Sequence, residues 1–372
     1  MAQWHERHIP EIQSGSVHAL YLFDVAQSIQ LDTLKTQLGA EAAPSRIEDK
    51  AAGPLSVRYI QPPVTVDGRV FDCAELDGFS ARIKFYDYGV ISLLLSRPFA
   101  GTWGELVDLG QTLIESEPLE AHATEACERI ATLVGTALGG RRRTFLSEDY
   151  LVFAITEFQP AAPADELLAT HGRDIAQLLR GERQPLSAQE CEVVLRQRFS
   201  YFSDDLIVPA WNAALIVDTE PAVRAAIEIV ELANSQLLEF RYHDELLESE
   251  LTRLYADLQQ PRWSHRFAGR RRALASFRAQ ALMIDVNDLT DHLENAVKFT
   301  GDAYAARLFS IVGARLGLDH WKRSVEDRLK TLDEIRRFSV EQSGAAQANL
   351  LELVIVAILV LELWLFFAGI MR

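Results

Sequence analysis

A chain of 372 residues exceeds what one ordinary hydrophobic core organises, so two domains are expected. Its formal charge of −16 argues against a general nucleic-acid binder, which presents a basic face. The three cysteines, Cys73, Cys127 and Cys191, are odd in number and far apart, which speaks against a disulfide framework or a structural zinc site and for reduced thiols.

The N-terminal stretch MAQWHERHIPEIQSGS lacks the apolar core of a secretory signal, and Glu6 and Glu11 beside a single Arg7 make it a poor transit peptide. Residues 17–24, VHALYLFD, predict a strand, and 25–39 suit a helix. Residues 40–55, rich in Ala, Pro and charge, predict a loop, and SVRYIQPP a short strand stopped by Pro62 and Pro63. From Gly78 to Pro98 the chain alternates, turns near Asp87 to Gly89 and alternates again, which predicts a hairpin. Residues 103–117 and 119–138 predict amphipathic helices separated by Pro118, and DYLVFAITE at 149–157 another strand. DELLATHGRDIAQLLRGE and LSAQECEVVLRQR predict helices, and 205–217 an edge or bulged strand interrupted by Pro209.

After residue 220 strand signals stop. Apolar residues recur at coiled-coil spacing from Val223 to Leu258, through Ala226, Val230, Ala233, Leu237, Phe240, Leu247, Leu251 and Leu254, with Asp244 breaking the seam. Residues 285–316 predict further helix, and WKRSVEDRLKTLDEIRRF is amphipathic. The end, NLLELVIVAILVLELWLFFAGIMR, holds about twenty apolar residues, the length that crosses a hydrocarbon core of ~30 Å. Its position predicts a single-pass C-terminal anchor in a bacterial inner membrane, with the bulk in the cytoplasm. Glu352 and Glu362 are then polar residues embedded in the span, ~80° apart around the helix, and Glu362 calls for a partner across a helix–helix contact. The expected plan is α+β: a mixed head at 1–219, a helical, coiled-coil-like stalk at 220–342, and a transmembrane helix at 350–371.

Chemical motifs are sparse. Gly135, Gly139, Gly140 and Arg141 lack the Lys-Ser/Thr of a phosphate loop and read as a helix end. His243, Asp244, Glu245 and Glu248, with Asp288, Asp291 and His292, have helical spacing for a metal, but the plainer reading is a charged helix face. Asp204 and Asp205 read as a strand boundary. Ser92, Ser96 and Cys191 stand beside no His motif that would activate a nucleophile. Tyr86, Asp87, Tyr88 and Gly89 form a candidate functional hairpin, although Asp87 reads first as a turn former. Arg270, Arg271 and Arg272 form a candidate basic patch for ribosomal RNA, whereas such runs, Arg141 to Arg143 included, are usually solvated loops. No cofactor is indicated.

KFYDYGVIS (Lys84 to Ser92), FSDDLIVPAWNAALIVD (Phe202 to Asp218), the long helix after it and the LE…IV…LVLE tail (Leu351 to Glu362) together resemble the "required for meiotic nuclear division" family of yeast, human and bacterial proteins. Leu93 to Leu95 depart from its pattern after the hairpin, as in a divergent bacterial branch. The resemblance implies an organelle-membrane or translation-support setting and carries no catalytic site. The expected function is a tail-anchored scaffold or tether. Its partners would be the lipid bilayer, a protein to be recruited, and further copies of itself through stalk and tail. The rival expectation is a membrane-tethered, metal-dependent hydrolase or nuclease using Asp204, Asp205 and the His243 helix.

Overall fold

The computed structural model describes residues 11–41, 43–44, 62–73, 75–76, 78–114, 116–259 and 303–370, with 280, 283, 284 and 286. Its strands are β1 (Glu11–Ile29), β2 (Ala43–Pro44), β3 (Val64–Asp67), β4 (Glu75–Leu76), β5 (Phe79–Phe85), β6 (Val90–Gly101), β7 (Leu138–Gln159), β8 (Leu206–Pro209) and β9 (Ala213–Val217). They form one sheet in the order β2-β3-β5-β6-β1-β7-β9-β8, with β4 paired to β5. Neighbours are antiparallel except β7 and β9. A parallel pair needs a crossover. The helices α4 (Ala164–Arg180) and α5 (Ala188–Arg196) lie between these two strands in the chain.

Period-two alternation splits the sheet into two faces. On β1, Val17, Ala19, Tyr21, Phe23 and Val25 join the main apolar core with Ile83 and Phe85 of β5, Leu93 and Leu95 of β6, and Phe153 of β7. The same core takes in α2 (Trp103–Ile114), α3 (Glu117–Leu133) and α4. The alternate residues face the other way, toward α6 (Glu220–Gln259), as the contacts Lys84–Glu231 and Tyr88–Ser235 establish. Residues of α6 from Ile229 to Phe240 are buried or nearly so on every side, because the helix is enclosed rather than lying on a surface.

Several expected elements change length. Residues 25–29 extend β1 instead of starting a helix, and α1 (Leu31–Leu38) begins only after them. Val25 and Ile29 donate backbone hydrogen bonds to Gly89 and Asp87, so the hairpin turn holds this end of the strand extended. Pro118 sits in the first turn of α3, where its missing N–H costs nothing. Residues 205–217 make a hairpin, β8 to β9, with β8 at the sheet edge, where Pro209 is tolerated. The predicted strand SVRYIQPP falls largely outside the described residues.

The chain divides into two units, Met1–Tyr242 with Asp291–Trp321, and His243–Thr290 with Lys322–Arg372. The first holds the sheet and α7 (Ala303–Leu316). In the second, the later half of α6 meets α8 (Leu318–Ile370) through Asp244, which accepts from Ser324 Oγ at 2.6 Å and Arg328 Nε at 2.7 Å; Arg328 also reaches Glu248 at 3.2 Å. Asp244 therefore does not interrupt the helix, since its charge is neutralised across the pair.

The transmembrane expectation is corrected. Among the described residues no helix is long and apolar enough to cross a membrane. The helix itself is continuous from Leu318 to Ile370. The single-pass anchor at 350–371, the inner-membrane location and the bilayer as partner lose their support. Glu362 is exposed, and the Glu352 side chain lies outside the described residues.

Candidate functional site

The α6-facing side of the sheet is unusually polar. Paired strands place side chains in rows: Ser80, Ser96 and His18 in one, then Arg82, Leu94 and Leu20, then Lys84, Ser92, Leu22 and Glu148, then Val90 and Asp24. A sheet face under a helix is ordinarily apolar, so each polar group here needs a partner.

At the end nearest the start of α6 the helix and sheet part around a cavity of about 720 Å³. Ser14, Ser16 and His18 of β1, Ser80 and Arg82 of β5, and Ser96 and Arg97 of β6 line it, with Glu220, Arg224 and Ile227 of α6. His18 is held between two hydroxyls: Nε2 lies 2.8 Å from Ser16 Oγ, and Nδ1 lies 2.8 Å from Ser96 Oγ. Burial, then the nearby Arg82 charge, lowers its pKa to about 4, so the ring is neutral at neutral pH. One ring nitrogen then donates and the other accepts. The serine that accepts from the ring keeps its own O–H free to donate. Beside this cavity β1 carries a register shift at Ser14 and Gly15, and a Cβ at Gly15 would stand 2.6 Å from the Ala154 carbonyl oxygen. Only glycine lets β1 and β7 approach so closely there.

Further along α6 the polar rows close into ion pairs. Lys84, 1% exposed, bridges Glu228 at 2.6 Å and Glu231, and Ser92 Oγ donates to Glu231 at 2.6 Å. Tyr88 donates to Ser235 Oγ at 2.6 Å, whose own proton goes to the Leu232 carbonyl. One helix face thus carries Glu228, Glu231, Ser235, Glu239 and Tyr242 at spacings of three and four. Asp24, fully buried, pairs with Arg142 at 2.6 Å, and the Arg142 guanidinium lies 3.4 Å over the Tyr242 ring. Burial outweighs Arg142 and raises the Asp24 pKa to about 6; burial and then the Asp24 charge push Glu239 well above the ordinary carboxylate range. Arg241 pairs with Glu148. The seam is a structural clamp, because its groups are consumed by one another.

The predicted residues distribute as follows. Tyr86 and Tyr88 are buried and stack with centroids 5.2 Å apart, and the Asp87 carbonyl accepts from Ile29 N–H. Gly89 has φ +102° and sits where a Cβ would meet the Ala26 carbonyl oxygen at 1.9 Å. The hairpin therefore serves the clamp rather than the cavity. Arg142 lies on β7, not in a solvated loop, and Arg141 donates to Thr132. The Asp205 carboxylate accepts backbone N–H bonds from Tyr201 and Phe202 at 2.6 and 3.1 Å. No group of three His, Cys, Asp or Glu that could hold a metal occurs among the described residues. Arg270, Arg271, Arg272, Asp288, Asp291 and His292 lie outside the described residues.

Residues 14–222 match the family model described as "Uncharacterized protein MJ0711, N-terminal domain". The chain belongs to this family. The MJ0711 span begins at Ser14 and takes in the first three residues of α6, so it contains nearly all of the sheet and most of the cavity wall. The chain is also 24% identical over 230 residues to "Uncharacterized protein MJ0711" of Methanocaldococcus jannaschii, covering 60% of this chain and 67% of that protein. No solved structure matches the chain. Neither match carries the resemblance to the meiotic nuclear division proteins. Sequence reasoning missed His18 and Arg82 altogether. The one available signal was a histidine and two serines at alternate positions of apolar strands, HALYLF and ISLLLS, where apolar residues would complete the pattern.

Proposed function

We propose that this chain is a binding protein whose MJ0711-type head takes a small polar ligand between β1, β5, β6 and the start of α6, without chemically changing it. The observation that carries this reading is the cavity floor, where Ser16, His18, Ser96 and Arg82 occupy positions that the strand pattern would fill with apolar side chains. Enzymatic use is less well supported. The hydroxyls sit on strands whose backbone N–H groups are spent in ladders, leaving no backbone oxyanion hole. The test is a thermal-shift screen of polar metabolites against the full chain and against Ser96→Phe, which fills the cavity. Ligands that stabilise the wild type and not Ser96→Phe support the reading. Hits insensitive to Ser96→Phe, or turnover of a hit, refute it.

A second reading concerns assembly. Ile355, Val356, Ile358, Leu359, Val360, Leu361, Leu363 and Trp364 are each half or more exposed on consecutive turns of α8. So much apolar surface in ten residues calls for cover by protein, and the scaffold reading supplies it from further copies of the chain. Sedimentation of the full chain and of Leu359→Glu/Leu363→Glu tests this: equal, monomeric masses refute it. The likeness of Lys84 to Ser92 and Phe202 to Asp218 to the meiotic nuclear division proteins is kept as a proposal of common descent.

A further inference from the structure

Among the described residues, Arg82 and Arg97 line the cavity without an acidic partner. Of its acids, Asp67 is held by Arg69 through two contacts of 2.9 and 3.0 Å, and Glu220 pairs with Arg224 at 3.4 Å. Glu41 stands exposed at the rim, where solvent screens it. Arg97 lies 5.0 Å over the Phe79 ring. Arg82 lines the cavity with no ion pair or hydrogen bond among the described residues. Its five N–H donors face a wall whose acids Asp67 and Glu220 are held by Arg69 and Arg224. The His18 ring, fixed between Ser16 and Ser96, leaves one of those hydroxyls a free proton whichever tautomer it adopts. The wall thus sets a hydroxyl donor beside the Arg82 guanidinium, and the neutral imidazole adds no charge.

We infer that the ligand carries an oxyanion, a phosphate or carboxylate group, which pairs with Arg82 and accepts a hydrogen bond from Ser16 or Ser96. This rests on the cavity being a ligand site and names the class of ligand. A guanidinium gives a planar oxyanion two parallel hydrogen bonds and a tetrahedral one an edge of two oxygens. Arg82 is half-buried, so a ligand oxyanion can still reach its guanidinium.

The experiment is an NMR titration of the full chain at neutral pH, following the His18 ring signals, with inorganic phosphate, acetate and glycerol as separate probes. Saturable shifts with phosphate or acetate are expected, and whichever binds more tightly identifies the group. Arg82→Gln should weaken that binding about tenfold or more, and Arg82→Lys should recover part of it. Unchanged amide signals away from residue 82 in the variants free of probe would show that the wall is intact, since loss of the Arg82 charge acts on His18 directly. Saturation by glycerol with none by either anion overturns the oxyanion assignment and leaves the cavity reading standing. Equal anion affinity in Arg82→Gln overturns the assignment too. No saturable shift from any of the three overturns both.

Discussion

Lys84→Met tests whether the clamp under α6 holds the helix to the sheet. Methionine keeps much of the aliphatic length and removes the charge. Lys84 and Glu231 are each 1% exposed and Glu228 is 12% exposed, so the substitution removes the Lys84 charge from two carboxylates, one of them with almost no water. Breaking a buried ion pair from one side costs ~3–5 kcal/mol. Glu231 retains its bond from Ser92, and Glu228 can recruit some solvent, which places the expectation near ~3 kcal/mol, at the lower end. Urea unfolding followed by circular dichroism should show the midpoint fall with the slope unchanged. Glu231→Gln in the same background should return part of the loss, with a coupling of at least ~1 kcal/mol in the four-member cycle. A loss under ~1 kcal/mol at constant slope, or additivity across the cycle, would refute the idea that these charges fasten α6.

Gly89→Ala should destabilise the first unit by more than ~2 kcal/mol, because it combines a left-handed backbone with a collision against the Ala26 carbonyl; native proteolysis of the variant checks this. Asp24 should oppose the usual acid loss of stability. Its pKa is raised to about 6 on folding, so its contribution is lost as pH rises through 6 and regained toward 4. The stability difference between wild type and Asp24→Asn should therefore shift in favour of the wild type as pH falls over that window. His18 works in the opposite sense: with its pKa lowered to about 4, its contribution is full above 6.5 and is lost as pH falls toward 4. His18→Gln should flatten that part of the acid limb, and ring NMR should find His18 titrating near 4, not near 6.5.

Alternation alone marked the hairpin from Gly78 to Pro98, and helical spacing alone marked α4, α5 and the long α6, since each pattern is set by local geometry of period two or 3.6. The same local logic misplaced residues 25–29, because their extended form depends on Gly89 and Asp87 across the sheet. It also read the C-terminal apolar run as a span, since composition records length and hydrophobicity but not what surrounds a helix. Period two assigned Ser96 and Lys84 to a face without saying who waits on it. His18 meets Ser96 across 78 residues, and Lys84 meets Glu231 across 147. Such pairings follow from strand order and the path of α6, which no window of sequence contains. The chain by itself thus determined its elements and its class. The cavity, the unpaired Arg82 within it and the clamp beside it exist only because the sheet order brings separate strands under one helix.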